Sequence, residues 1–250
     1  MYLKIFMFTV IIIMLNFSLN LAEPAEESEK LVHEGNELYN QGQYEEALKR
    51  YNKAIEIYPG EHYAWNNKGL IYHTMGNYEE AIKCYDRALE IDPANIYAWY
   101  NRGLIMEEQG KYEEAIKFYD RALDIFPFYT VALNSKGVCL TELKRYNEAI
   151  QCFDKSLRAD RKDVSTWNQK GFTLYRQKKY SEAIECFNKA LELNDGNAEI
   201  WNNKGLTLAG MNEYKEAVKC YDRALELEPE FKEACQNRDE ALKILKEGEK

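Results

Sequence analysis

The feature that most constrains this chain is a glycine that returns every 34 residues: Gly35, Gly69, Gly103, Gly137, Gly171 and Gly205. A fixed period of this length means a stack of like units, each too small to bury both of its faces alone. Other positions keep the same register. Trp65, Trp99, Trp167 and Trp201 stand four residues before the glycine, with Leu31 and Leu133 in the other two units. Twelve residues after it come Ala47, Ala81, Ala115, Ala149, Ala183 and Ala217. Sixteen after it come Tyr51, Tyr85, Tyr119, Phe153, Phe187 and Tyr221, and nineteen after it Ala54, Ala88, Ala122, Ser156, Ala190 and Ala224. Pro59, Pro93, Pro127 and Pro229 close four units, where Arg161 and Asp195 stand in the other two.

Each unit carries two apolar patterns of helical period. Trp65, Gly69 and Tyr72 share one face, and Ala81, Tyr85, Ala88 and Ile91 another. Between them Thr74-Met75-Gly76-Asn77 reads as the end of one helix and the start of the next. Gly69 and Ala81 let the helices approach, Trp65 and Tyr85 fill the space between units, and Pro93 ends the second helix. The junction Arg161–Ser165 lacks the proline and follows Ser156 in an alanine position, so it is expected to be the weakest of the stack.

This pattern resembles the tetratricopeptide repeat family over residues 28–231, in six units: 28–61, 62–95, 96–129, 130–163, 164–197 and 198–231. The resemblance implies an all-α fold, a right-handed superhelical solenoid of six helix-turn-helix repeats. Residues 232–250, with Ala234, Leu242 and Leu245, resemble the extra C-terminal helix that caps such arrays. One departure stands out. Where the family usually has Leu before the glycine, this chain has Glu34, Lys68, Arg102, Lys136, Lys170 and Lys204. Such side chains can lay their stems over apolar neighbours with the charge in water; the alternative is a basic ladder for an anionic ligand.

Ahead of the repeats, residues 1–22 carry one charge, Lys4, and an apolar core from Ile5 to Leu15, followed by a short acidic linker at 23–27. The length suits a signal peptide cut after Ala22, giving a mature chain that begins near Glu23, or else an uncleaved anchor. Either places the repeats outside the cytoplasm, secreted or in the cell envelope, and touches membrane only through this segment. A net charge of -9, from 33 Lys+Arg against 42 Asp+Glu, makes the chain a poor candidate for gripping a nucleic-acid phosphate backbone, which needs a basic stripe.

Chemistry is sparse. No nucleotide loop or nucleophile elbow occurs, and His33, His62 and His73 are not at metal-ligand spacing, so no catalysis, cofactor or metal is expected and the three histidines read as surface residues. The Glu45-Glu46, Glu79-Glu80 and Glu113-Glu114 pairs begin second helices, where they complement the dipole. Cys84, Cys152, Cys186 and Cys220 share one repeat position, about 8–10 Å apart on neighbouring helices and too far for disulfides. Only Cys139 with Cys152 and Cys220 with Cys235 sit at levels where a bond is conceivable.

The resemblance implies that first helices line a concave groove for an extended peptide or protein segment. The residues carried onto it are Asn66, Asn67, Tyr97, Tyr100, Asn101, Asn134, Asn168, Gln169, Asn202 and Asn203. An Asn amide offers a donor and an acceptor, so a ladder of them suits a peptide backbone, and Asn67, Asn101 and Asn168 are expected to stand exposed. The family's two-carboxylate clamp is missing: Val32, Asn36, Asn67, Tyr97 and Asn101 occupy its places, without its cations. Glu29, Glu107, Glu108, Glu142 and Glu199 against Arg176 favour a neutral or basic ligand. The expected function is a non-catalytic interaction scaffold; the alternative is an assembly factor or accessory subunit of an envelope or secretion complex that uses convex or end surfaces.

Overall fold

The structure, a computed structural model, describes residues 23–248, so the expected signal or anchor segment lies outside the described residues. Among those residues there are thirteen helices and no strand. No described helix is long and apolar enough to cross a membrane. The chain divides between Gln109 and Gly110 into two compact units. The first holds α1 (23–40), α2 (Tyr44–Ile57), α3 (His62–Thr74), α4 (Tyr78–Ile91) and α5 (Ile96–Glu108). The second holds α6 (Tyr112–Ile125), α7 (Thr130–Glu142), α8 (Tyr146–Ala159), α9 (Val164–Arg176), α10 (Tyr180–Leu193), α11 (Ala198–Gly210), α12 (Tyr214–Leu227) and α13 (Lys232–Gly248).

Within each unit successive helices pack on one another, and odd-numbered helices also touch at α3–α5, α7–α9, α9–α11 and α11–α13. The close approach rests on the repeated glycine. A Cβ on Gly69 would stand 2.6 Å from Cε1 of Tyr85, and one on Gly171 would stand 2.7 Å from Cε1 of Phe187. Gly35 with Tyr51, Gly137 with Phe153 and Gly205 with Tyr221 repeat the arrangement. Every one of these rings is fully or almost fully buried. Tyr85 thus packs on Gly69 within its own helix pair and is wholly buried. Trp65 is only half-buried, with Lys68 lying 5.3 Å from its ring centroid.

Odd helices end in a left-handed residue. Gly42, Gly76 and Gly110 take φ of 70–75°, and Lys144, Lys178 and Asn212 take 60–64° at the same place. Within the two units backbone bonds close these turns in the Schellman pattern: Asn77 N donates to Tyr72 O at 2.8 Å and Gly76 N to His73 O at 2.8 Å, as Lys179 N does to Leu174 O at 2.9 Å. Three of the turns between pairs are closed by tryptophan. Indole Nε1 donates to the carbonyl of Pro93 from Trp99, of Arg161 from Trp167 and of Asp195 from Trp201, at 2.9–3.0 Å. The Arg161 turn is thus built like the proline turn at Pro93, and Asp163 further caps α9 through Thr166 N at 3.3 Å. The expected weak point has no geometric counterpart. What proline alone adds is restriction of the unfolded chain.

Four of the cations before the glycines tie an odd helix to the even helix before it. Arg102 pairs with Asp86, Lys136 with Asp120 and Lys170 with Asp154, while Lys68 donates to Asn52 Oδ1 at 2.7 Å. Lys170 and Lys204 also lie over Trp167 and Trp201, at 5.6 and 5.3 Å from the ring centroids. Stem packing is as expected, but the heads are partnered rather than merely solvated. All six cysteines are free thiols. Burial pushes Cys84 and Cys186 up to about 11, so they stay protonated as small apolar groups.

Two substitutions test these devices. Gly171→Ala forces a methyl into the Phe187 ring and should cost about 1–3 kcal/mol in denaturant unfolding. Lys178→Gly relieves a left-handed lysine and should raise stability by up to about 1 kcal/mol in the same assay.

Candidate functional site

Steps of three and four residues place Tyr63, Asn66, Asn67, Leu70, His73 and Thr74 on one face of α3, and the same register recurs on the other odd helices. This is the face on which the sequence places a groove. Its asparagines are paired with each other. In the first unit Asn101 Nδ2 donates to Asn66 Oδ1 at 3.0 Å, Asn66 Nδ2 to Asn67 Oδ1 at 2.9 Å, and Asn67 Nδ2 to Asn36 Oδ1 at 2.7 Å. Tyr51 closes that chain by donating to the same Asn36 oxygen at 2.7 Å. In the second unit Asn203 Nδ2 donates to Asn168 Oδ1 at 3.2 Å and Asn237 Nδ2 to Asn202 Oδ1 at 3.0 Å, while Asn168 Nδ2 reaches Glu199 at 2.9 Å.

These bonds correct the expectation of a free amide ladder. Asn66, Asn101, Asn168, Asn202 and Asn203 are only 2–8% exposed. Asn67, Tyr100, Asn134 and Gln169 are half-buried, and Tyr97 is exposed. The amide's paired donor and acceptor, which would suit a peptide unit, is spent on the neighbouring helix. Sequence reasoning missed two rungs, Asn36 and Asn237. Asn237 lies 34 residues after Asn203, so the repeat period alone points to it.

Acidic groups on this face are partly spent as well. Glu108 accepts from His73 at 3.0 Å and Glu142 from Arg176 at 3.1 Å. His73 is therefore not a surface residue. Its side chain is 11% exposed and bridges α3 to α5. Tyr39 and Thr74 make the equivalent bridge from α1 to α3 at 3.3 Å. What stays open is mainly aromatic. Tyr63 and Tyr97 are 45% and 46% exposed, with centroids 6.4 Å apart.

One rung is broken. Asn134 Nδ2 turns to Asp163 Oδ2 at 3.0 Å, and its buried Oδ1 has no partner. The residue placed to donate to that oxygen is Gln169, which occupies the register of Asn203 with one methylene more. Gln169→Asn should restore the rung and raise stability by about 1 kcal/mol, read from the urea midpoint against wild type.

Family models described as TPR repeat match residues 35–76 and 69–110, and models described as Tetratricopeptide repeat match residues 95–162, 164–197 and 198–231. Among solved structures the chain is similar to YrrB, described as a TPR protein with an unusual peptide-binding site. The identity is 23% and the TM-score 0.62, covering 76% of this chain and 97% of that one. It is also similar to PilF of Pseudomonas aeruginosa, at 22% identity and TM-score 0.77 over 87% of this chain and 99% of that one. A further similar structure is PilW, described as a type IV pilus biogenesis factor, at 18% identity and TM-score 0.76 over 84% and 97%. Identities this low carry the fold, whereas the family matches run through most of the sequence: the chain belongs to the tetratricopeptide repeat family.

Proposed function

We propose that the protein is a non-catalytic interaction scaffold that holds an extended peptide or protein segment along the shared face of its odd helices. The carrying observation is the exposed tyrosine pair Tyr63 and Tyr97, which lies in register beside a floor of amides already satisfied by one another. A rigid, polar-satisfied floor with exposed aromatic area favours binding without catalysis, because tyrosine supplies contact area at low entropic cost. Asn67, Tyr100, Asn134 and Gln169, partly exposed on the same face, are assigned to the contact surface, and the buried asparagines to its support. Net charge of -9 favours a neutral or basic segment. The apolar core Ile5–Leu15 ahead of an acidic flank supports export, and the likeness to PilW, described as a type IV pilus biogenesis factor, is in keeping with a cell-envelope setting.

An assembly role through other surfaces is favoured by one observation. The turn from α6 to α7 exposes Phe126 and Phe128, with Ile125 and Val131 beside them, where the equivalent turn of α8–α9 carries Asp160, Arg161, Lys162 and Asp163. The two readings separate on an array of peptides drawn from envelope and secreted proteins. The Tyr63→Ala, Tyr97→Ala double variant should bind at least tenfold more weakly while its circular dichroism and unfolding midpoint stay close to wild type, since both rings are largely outside the core. Undiminished binding by that variant would leave the groove idle and move the role to the Phe126–Phe128 turn.

A further inference from the structure

Along the shared face, the fourth residue after one repeat glycine meets the fifth residue after the next. In the first unit these pairs are Tyr39 with Thr74 and His73 with Glu108, each closed by a hydrogen bond. From α9 onward in the second unit the same register gives Tyr175 opposite Gly210, and Ala209 opposite Ile244. Neither pair can bridge. Gly210 has no side chain, and a Cβ there would meet the Tyr180 ring at 3.0 Å. Ala209 leaves empty the volume that His73 fills in the first unit. The result is a cavity of about 220 Å³ between α9, α11, α12 and α13.

Its lining has a definite chemistry. Tyr175, Tyr214 and Tyr221 supply three phenol rings over a floor of Leu206, Ala209 and Ala241. Burial pushes the Tyr175 and Tyr221 phenols up, so both remain neutral. Glu240 and Asn237 complete the wall, and no Lys, Arg or His lines it. Among the described residues no cation pairs with Glu240, and no donor reaches Asn237 Oδ1. An apolar guest would strip water from Glu240 without replacing it, and an acidic guest would be repelled. A flexible methylene stem ending in a cation suits this wall: stem on the alanines and leucine, charge beside the half-buried Tyr175 and Tyr214 rings, hydrogen bonds to Glu240 and Asn237.

We propose that this tyrosine-walled cavity is a specificity pocket for a lysine or arginine side chain of the bound segment. The proposal rests on the groove reading above and adds to it the residue the groove selects. It also assigns the sequence differences. His73 and Glu108 close the equivalent place in the first unit, so the basic side chain is read once, near the C-terminal end of the array.

The test uses the full-length chain and nine-residue peptide mixtures, randomised except for a central Lys, Arg, Leu or Glu, with binding followed by fluorescence anisotropy. Lys- and Arg-centred mixtures should bind at least tenfold tighter than Leu- and Glu-centred ones. Glu240→Gln should weaken the basic mixtures roughly five- to tenfold, whereas Glu230→Gln, an exposed acid on the α12–α13 turn, should leave them unchanged. Ala209→His should refill the cavity and erase the preference; Glu240 is exposed, so Glu240→Gln keeps the test valid if the histidine variant misfolds. Binding that ignores the central residue, or basic mixtures that bind Glu240→Gln as well as wild type, would overturn the pocket and leave the groove reading standing. No binding by any mixture would overturn both.

Discussion

An aromatic ring pressed against a glycine is the contact on which the remaining structure depends. Tyr51, Tyr85, Phe153, Phe187 and Tyr221 each sit where a Cβ on the facing glycine would intrude by about an ångström. That contact sets the distance between the helices of a pair, and the distance fixes which residues can reach the next pair. The cations beside the glycines then meet Asp86, Asp120 and Asp154 on the preceding helix. These ion pairs are partly solvated and individually contribute about 1 kcal/mol or less. Their role is registry more than strength, since each repeats at the same place on a new helix.

The amide ladder is the second consequence of that spacing. Once odd helices touch, Asn at two neighbouring registers can donate across the gap, as Asn101 does to Asn66 and Asn203 to Asn168. A buried amide left unpaired would cost more than a bond contributes, so the ladder stiffens the face only where every rung is filled. Where the rungs are filled the face is a fixed platform, and the recognition we propose lies at its margins, at Tyr63 and Tyr97 and in the tyrosine cavity of the second unit. Rigid platforms lose little entropy on binding, which suits a scaffold for extended segments.

The two units also differ in how the far end of the face is finished. His73–Glu108 and Tyr39–Thr74 close it with polar bridges, while Ala209 and Gly210 leave it open. A repeat array can vary in this way because each position contacts only neighbouring repeats, so a local change has local consequences. Lys144 and Lys178 show the same tolerance. They hold a left-handed turn that Gly76 adopts without strain, at a cost small enough for the stack to absorb.

The period of 34, the glycine–aromatic register and the doubled helical pattern were legible from residues alone, because each is a local or strictly periodic consequence of backbone sterics and burial. That is why the helix pairs and their family could be read from the chain before any coordinates. The state of the groove residues could not. Asn101 and Asn168 have the same chemistry whether they face a peptide or another asparagine, and only the approach of neighbouring odd helices pairs Asn101 with Asn66 and Asn168 with Asn203. His73 likewise looked like a surface residue until Glu108, 35 positions on, came within 3.0 Å of it. The tyrosine cavity was hidden for the same reason. Ala209 and Gly210 are unremarkable in sequence, and they become a void only when Tyr175, Tyr221 and α13 close around the volume that a histidine fills elsewhere.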